Sequence, residues 1–225
     1  MLKKIFLTIF FFIIITPTYP HVLHYKNLQR LEFDLYRNNK FIGTHIFLFT
    51  KKDNNLIVNS KINFEIKKFG VTLYKYEADG TEIYNNGNLV SFNSKTNQNK
   101  KTKYVDIELN NDTFIIDGSS YKGEAPLDYI IGTWWNHEIV KAKAQISAVS
   151  GRIIEQKVVF LGKETIEING NNLKTLHFNF SSTDKKLAKG KKLNTDVWYD
   201  EENLNWVKAR FKKTGIWEYR LRLSK

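Results

Sequence analysis

The chain has 225 residues, of which 42% are hydrophobic and 14% aromatic, and its formal net charge is +12. Aromatic residues occur throughout, which excludes a disordered chain, and the length fits one large β domain better than two small ones. The sequence contains no cysteine. That excludes a disulfide framework, a cysteine metal site, a thiol nucleophile and a lipid attached through cysteine.

Residues 1–20 have the pattern of an export signal. Met1–Lys4 is short and basic, Ile5–Ile15 is an apolar run of eleven residues, and Thr16–Pro20 breaks that run. A helix that spans a bilayer needs about 20 apolar residues, so the run matches the hydrophobic region of a signal peptide. We therefore expect a single β domain over 21–225 in the periplasm or otherwise exported. An uncleaved N-terminal anchor is the alternative, because no small-residue cleavage triplet follows.

From Gln29 to Leu223, segments of strand-like composition alternate with tight-turn dipeptides. Asn38–Asn39, Asn86–Gly87 and Asn169–Gly170 supply the positive φ angles that two-residue hairpin turns require. Such turn signals recur about every 8–14 residues, which is typical of an antiparallel meander. A long meander curls or closes to protect its edges. The prediction is an all-β fold in which an antiparallel meander forms a barrel or a strongly curved sheet, with one short helix.

The segment Gly123–His137 supplies that helix. Pro126 suits a first helical turn, and Asp128 complements the helix dipole, so we expect a short helix or loop across one end of the sheet. Trp134 and Trp135 are adjacent in this segment and are followed by Asn136. Neighbouring residues point in different directions, so one indole is free to cover a barrel mouth or contact a ligand. Core packing of a connecting segment is the alternative explanation.

Few motifs point to catalysis. The sequence has no His-x-His pair, no serine-nucleophile motif and no glycine-rich phosphate loop, so we expect no metal, no cofactor and no enzymatic activity. A cross-strand pair of His45 with His177 is left open as a metal site. Glu77 and Glu82, across an expected Asp79–Gly80 turn, could approach the ~5–9 Å separation that glycoside hydrolysis uses. Two exposed strand acids are the simpler interpretation.

Several short stretches together resemble a known family. They are Leu35–His45 (LYRNNKFIGTH), Phe69–Glu77 (FGVTLYKYE), Thr133–Asn136 (TWWN) and Val197–Asp200 (VWYD) with Trp206–Val207. The set resembles an uncharacterised, DUF6134-like family of exported proteobacterial proteins, over almost all of the chain after the leader. The resemblance implies no established activity and therefore no catalytic residues. At the level of fold, the pattern is also similar to periplasmic β-barrel and half-barrel carriers of lipids. The matching positions are Arg37, Gly43, His45, Tyr76, Glu77, Trp134, Asn136, Trp198, Tyr199, Asp200 and Trp206.

Two functional hypotheses follow, with a glycan hydrolase as a weaker third. The first is a binding module for an apolar or amphipathic molecule such as a lipid. Its candidate ligand-binding residues are His45, Tyr76, Glu77, Trp134, Trp135 and Asn136. The alternative is a structural or interaction protein of the envelope with a basic surface, since lysines cluster at 100–103 and 185–192. Nucleic acid is not an expected partner, because strand alternation explains the interleaved aromatic and basic residues. A large apolar cavity would favour a carrier, and a filled core would favour a scaffold.

Overall fold

The computed structural model describes Tyr25 and residues 28–223. Two short 3-10 turns occur in this part of the chain, at His137–Val140 and Lys189–Lys191. No helix within it is long and apolar enough to cross a bilayer. The strands are β1 (Arg30–Arg37), β2 (Lys40–Lys52), β3 (Asn55–Lys68), β4 (Val71–Asn85), β5 (Asn88–Gln98), β6 (Lys101–Asn110), β7 (Thr113–Gly118), β8 (Lys122–Pro126), β9 (Ile130–Ile131), β10 (Ala144–Ile146), β11 (Ile153–Ile168), β12 (Asn171–Ser182), β13 (Asn194–Asp200), β14 (Trp206–Lys213) and β15 (Gly215–Leu221).

All fifteen strands form one sheet. Their spatial order runs β8-β7-β6-β5-β4-β3-β2-β1-β15-β14-β13-β12-β11-β10-β9, with every pairing antiparallel except β9 with β10. The pairing of β1 with β15 joins the two halves of the meander. No ladder connects the edge strands β8 and β9, but the β10–β11 loop bridges the halves. The Ser150 carbonyl oxygen accepts a hydrogen bond from the Ser120 backbone N–H at 2.9 Å. The Ala148 carbonyl oxygen accepts one from the Ser94 hydroxyl at 2.5 Å. The expected antiparallel all-β fold is confirmed as a strongly curled sheet that is not closed.

The turn chemistry also agrees with the sequence, with one exception. Asn38, Asn86 and Asn169 adopt positive φ angles of 49°, 47° and 52° at hairpin turns. The turn expected at Asp79–Gly80 is wrong, because β4 continues unbroken through both residues. Gly80 is buried, and a Cβ on it would lie 2.9 Å from Ser60 Oγ on β3. This glycine therefore permits close strand packing rather than a turn.

Of the short helix or loop expected in Gly123–His137, the helix is wrong, because the segment consists of strand residues of β8 and β9 with turns and loop between and after them. Gly123–Pro126 lies in the edge strand β8, and Pro126 pairs with Thr113 at the end of that strand. Proline has no backbone N–H to donate, but at the end of an edge strand this breaks no hydrogen bond between inner strands. Helical geometry begins only at His137, as a 3-10 turn. Asn136 Oδ1 caps this turn by accepting a hydrogen bond from the Glu138 N–H at 3.1 Å.

The segment between β9 and β10, residues 132–143, fills much of the space inside the curl, and we call it the plug. Trp135 from this segment is fully buried and makes edge-to-face contacts with Tyr25, Phe49 and Tyr84, at centroid distances of 5.4, 5.2 and 5.6 Å. Such aromatic pairs each add roughly 0.5–1.5 kcal/mol beyond the burial of their area. The described interior is therefore largely a packed core built around this plug.

Candidate functional site

A buried carboxyl group ties the plug to the sheet. Glu82 on β4 is 2% exposed. It accepts hydrogen bonds from Tyr84 Oη at 2.5 Å, Trp135 Nε1 at 2.8 Å and Thr133 Oγ1 at 2.9 Å. Burial raises the pKa of Glu82, and the three donors oppose that rise. Because Thr133 and Trp135 are both bonded to Glu82, the residue between them, Trp134, is held in a fixed position.

The backbone of Trp134 is unusual. Its φ is 62°, in the left-handed region that bulky residues avoid at a cost of about 1–2 kcal/mol. The Tyr199 hydroxyl helps to hold this conformation by donating to the Trp134 carbonyl oxygen at 2.9 Å. Strained residues of this kind cluster at functional sites. The conformation turns the Trp134 indole toward β14 and β15, where it meets Trp206 at 5.6 Å and Tyr219 at 6.0 Å between ring centroids.

These rings line a partly open cavity of about 130 Å³. It lies between the inner face of the sheet and two other segments. These are residues 132–134 of the plug and residues 148–149 of the β10–β11 loop. The side chains that matter for its chemistry are His45, Tyr76, Thr96, Trp134, Trp206 and Tyr219. The cavity therefore draws its lining from both halves of the sheet and from the plug.

Three buried ring nitrogens in this lining have no hydrogen-bond partner among the described residues. They are His45 Nδ1, Trp134 Nε1 and Trp206 Nε1. An indole nitrogen can only donate, so two donors line the same small space. A buried polar group without a partner costs about 1–3 kcal/mol. The cavity can therefore offer hydrogen bonds to a molecule that brings an acceptor.

Two titratable groups of the lining, His45 and Tyr76, are held neutral. Burial lowers the pKa of His45 to about 3. Burial raises the pKa of Tyr76 to about 12, and hydrogen bonds to Thr96 and Gln98 partly offset the rise. His45 packs against Phe47 with 4.2 Å between ring centroids. The lining contains no Lys or Arg and His45 is neutral, so it suits a neutral guest better than an anion, whose desolvation no adjacent cation would compensate.

The structure brings three of the six sequence-predicted residues together, since His45, Tyr76 and Trp134 all line the cavity. Trp135 is instead core, Asn136 is buried as the cap of the 3-10 turn, and Glu77 lies on the outer surface in an ion pair with Lys75 at 2.8 Å. Of the two adjacent tryptophans, one is fully buried and the other faces the cavity, as the sequence indicated.

The other chemistry considered from the sequence is not assembled. Glu77 and Glu82 lie on opposite faces of β4, one exposed and one buried, so they do not form a carboxylate pair. His177 packs on Trp198 and contacts Glu164 at 2.9 Å, while His45 lines the cavity, so the two histidines form no common site. Within the described residues, no group of three or more His, Cys, Asp or Glu could hold a metal ion.

Sequence reasoning missed Thr96, Trp206 and Tyr219 as cavity residues. Trp206 and Tyr219 are on the inward-facing side of β14 and β15, and that alternation is visible in the sequence. The pattern marks such residues as buried, but it does not reveal which buried residues leave a space between them.

Comparisons with known proteins give a family and a fold. The sequence model of the family described as "Domain of unknown function (DUF6134)" matches residues 33–223. A crystal structure of a beta-barrel-like protein of domain of unknown function DUF1849 from Brucella abortus is similar, with a TM-score of 0.56 and 10% identity, over 86% of this chain and 94% of that one. A DUF1329 family protein from Desulfovibrio piger also aligns, with a TM-score of 0.22 and 10% identity, over 91% of this chain and 92% of that one. The second alignment carries no argument. A comparison with curated proteins finds no match.

Proposed function

The chain belongs to the DUF6134 family, a domain of unknown function, and from the geometry of its interior we propose that it is a non-enzymatic binding module for a small neutral molecule. The observation that supports this most strongly is the pair of unpartnered indole N–H groups, Trp134 and Trp206, in one cavity. A domain that needed only a core would gain stability by filling that space or pairing those donors.

The cavity volume limits the guest. A protein cavity of about 150 Å³ holds one benzene molecule, so about 130 Å³ suits a guest of about six non-hydrogen atoms. Sites for larger ligands measure roughly 300–1,000 Å³. A lipid chain is therefore a poor fit for this interior. The proposed guest has an apolar body, to contact Tyr219 and the indole rings, and one oxygen, to accept from Trp134 or Trp206.

The proposal keeps two expectations from the sequence. We place the function outside the cytoplasm, on the strength of the leader pattern in residues 1–20, which lie outside the described residues. We also propose binding without chemistry, because His45 is neutral and its Nδ1 has no hydrogen-bond partner among the described residues, so no nucleophile is activated by it. Lipid binding remains a second candidate, favoured by exposed apolar side chains that lie beside lysines on the outer surface.

Nuclear magnetic resonance of the five indole N–H groups tests the proposal. The probe is cyclopentanone, and its control is methylenecyclopentane, which has the same shape but no oxygen. We expect cyclopentanone to give saturable shifts of the Trp134 and Trp206 indole signals. Trp135 and Trp198 should not respond, because their N–H groups already donate to Glu82 and Glu164. Trp217 provides an internal control, since its N–H has no partner among the described residues but lies outside the cavity lining.

A matched pair of variants checks the assignment. Trp206→Phe removes a cavity donor and should weaken cyclopentanone binding, whereas Trp217→Phe removes a donor elsewhere and should not. Equal shifts with both probes, or shifts that never saturate, would show that the cavity does not select an acceptor and would overturn the proposal.

A further inference from the structure

The antiparallel meander places alternate connections at the same end of the sheet, and their composition differs sharply between the two ends. One end carries segments 37–40, 67–70, 98–101, 119–122, 147–152, 183–192 and 212–214. We call it the lysine end. These segments contain fifteen basic residues, and Asp184 is their only acid. The basic residues are Arg37, Lys40, Lys67, Lys68, Lys100, Lys101, Lys122, Arg152, Lys185, Lys186, Lys189, Lys191, Lys192, Lys212 and Lys213.

The opposite end has the reverse balance. Its connections, at 51–55, 85–88, 110–113, 126–129, 168–172 and 200–205, contain six acids and two basic residues. These are Asp53, Asp112, Asp128, Asp200, Glu201 and Glu202 against Lys51 and Lys52. A general excess of lysine would raise the charge of both ends alike. The sequence therefore concentrates positive charge on one rim of the folded domain.

Hydrogen bonds join several neighbouring turns of the lysine end. The backbone N–H of Asn38 donates to Ile216 at 2.8 Å, and Arg37 Nε donates to the Thr214 carbonyl oxygen at 2.7 Å. On the other half, Arg152 donates to the Lys191 carbonyl oxygen at 3.1 Å. These turns therefore support one another rather than standing as isolated loops.

Phe69 stands out at this end. It is 94% exposed at the tip of the β3–β4 hairpin, with a φ of 50° followed by 79° at Gly70. The turns at Asn86 and Asn169 have nearly the same angles, 47° and 52°, and use the asparagine that this conformation favours. A phenylalanine there pays a conformational cost and buries almost nothing. The fold alone gives no reason for it.

Other apolar side chains lie close to this tip. Val71 and Leu73 follow on β4 and are 63% and 55% exposed, and Phe41 at the neighbouring hairpin is 57% exposed. An open groove of about 710 Å³ runs between the two hairpins, lined in part by Phe41, Leu73 and Lys68. Exposed apolar residues are thus placed where the positive charge is also concentrated.

We propose that the lysine end docks on the surface of an anionic lipid bilayer, with Phe69 inserting between the lipids and the lysines contacting phosphate groups. Positive charge beside a protruding aromatic residue matches both layers of that surface, the anionic headgroups and the apolar region beneath. An anionic glycan would satisfy the lysines but would leave Phe69 and Val71 without apolar contacts. A nucleic acid could stack a base on Phe69, but it offers no apolar region for the aliphatic Val71 and Leu73. The docking is separate from the cavity and does not depend on its guest.

Cosedimentation with vesicles tests the proposal, using protein expressed from the full chain. Binding to vesicles of equal parts phosphatidylglycerol and phosphatidylcholine should exceed binding to pure phosphatidylcholine and should fall with added salt. Lys67→Glu/Lys68→Glu should weaken binding about 30-fold or more. The matched control is Lys51→Glu/Lys52→Glu, which makes the same charge change in an exposed pair at the opposite end and should have little effect.

Phe69→Asn separates insertion from simple charge attraction. It should weaken vesicle binding about tenfold or more while leaving the unfolding midpoint at least as high, because asparagine suits the turn. Equal loss from the two lysine pairs, unchanged binding in Phe69→Asn, or binding to heparin without binding to the anionic vesicles would each overturn the proposal.

Discussion

Replacing Glu82 with leucine should test the account of how the plug is held. The substitution keeps a side chain of similar length but removes the acceptor shared by Tyr84, Thr133 and Trp135. All three donors would then lose this acceptor, although Tyr84 would keep its hydrogen bond with Asn136. Glu77→Leu is the matched control, because it changes the same residue type on the outer face of the same strand.

The expected cost follows from those contacts. Each unpaired buried donor costs about 1–3 kcal/mol, so the loss of this shared acceptor lowers the free energy of unfolding by about 4 kcal/mol after some recovery from the leucine side chain. That is a large fraction of the ~5–15 kcal/mol typical of a domain. By contrast, the Glu77–Lys75 pair is exposed, and losing such a pair costs at most about 1 kcal/mol.

Urea unfolding followed by tryptophan fluorescence and circular dichroism measures both effects. With a slope near 2.5 kcal/mol per molar, the midpoint of Glu82→Leu should fall by about 1.5 M. The midpoint of Glu77→Leu should move by less than about 0.5 M. If the two variants lost similar stability, the idea that Glu82 anchors the plug would be refuted.

The remaining predictions concern single residues. Burial raises the pKa of Glu82, so the native state holds its proton to higher pH than the unfolded chain, and wild-type stability falls as pH rises through that pKa. Glu82→Gln does not titrate, so its stability relative to wild type should improve as pH rises above the ordinary glutamate pKa of about 4.3 in parallel urea series, and a constant difference would contradict this. Burial lowers the pKa of His45 to about 3, so its ring signals in nuclear magnetic resonance should not titrate between about pH 5 and pH 8. Because the unfolded chain protonates this histidine more readily, His45 lowers the free energy of unfolding as pH falls below about 6.5. A titration midpoint near 6.5 would contradict the burial. Phe69→Asn should raise the free energy of unfolding by about 1 kcal/mol in urea, and a loss would refute the argument from its φ angle. Gly43→Ala should lower the melting temperature by several degrees or prevent folding, because a Cβ would lie 2.1 Å from the Asn63 carbonyl oxygen, and an unchanged melting temperature would be the contrary result.

Local chemistry explains which parts of the fold were predictable from sequence. Asn86–Gly87 and Asn169–Gly170 specify positive φ by themselves, and the structure has hairpins at both. Asp79–Gly80 has the same local signature but lies inside β4, because pairing with β3 and β5 on both sides outweighs the turn preference. The predicted helix at 123–137 failed for a similar reason, since Pro126 is also acceptable at the end of an edge strand.

The candidate site was predictable only in part. Trp134 and Trp135 drew attention as adjacent aromatic residues, but only the contact of Trp135 with Glu82 determines which indole is buried and which faces the cavity. Trp206 comes from a strand 72 positions away, so the gap between it and Trp134 arises from the curl of the whole sheet. Glu77 lies outside the cavity because alternation along β4 places it opposite its inward neighbour Tyr76.

A crystal structure of the protein grown with cyclopentanone tests the central claim most directly. The account predicts density for one molecule in the space lined by His45, Trp134 and Trp206, with its oxygen within hydrogen-bond distance of an indole nitrogen. Density for ordered water alone beside these indoles, with cyclopentanone absent at saturating concentration, would contradict it.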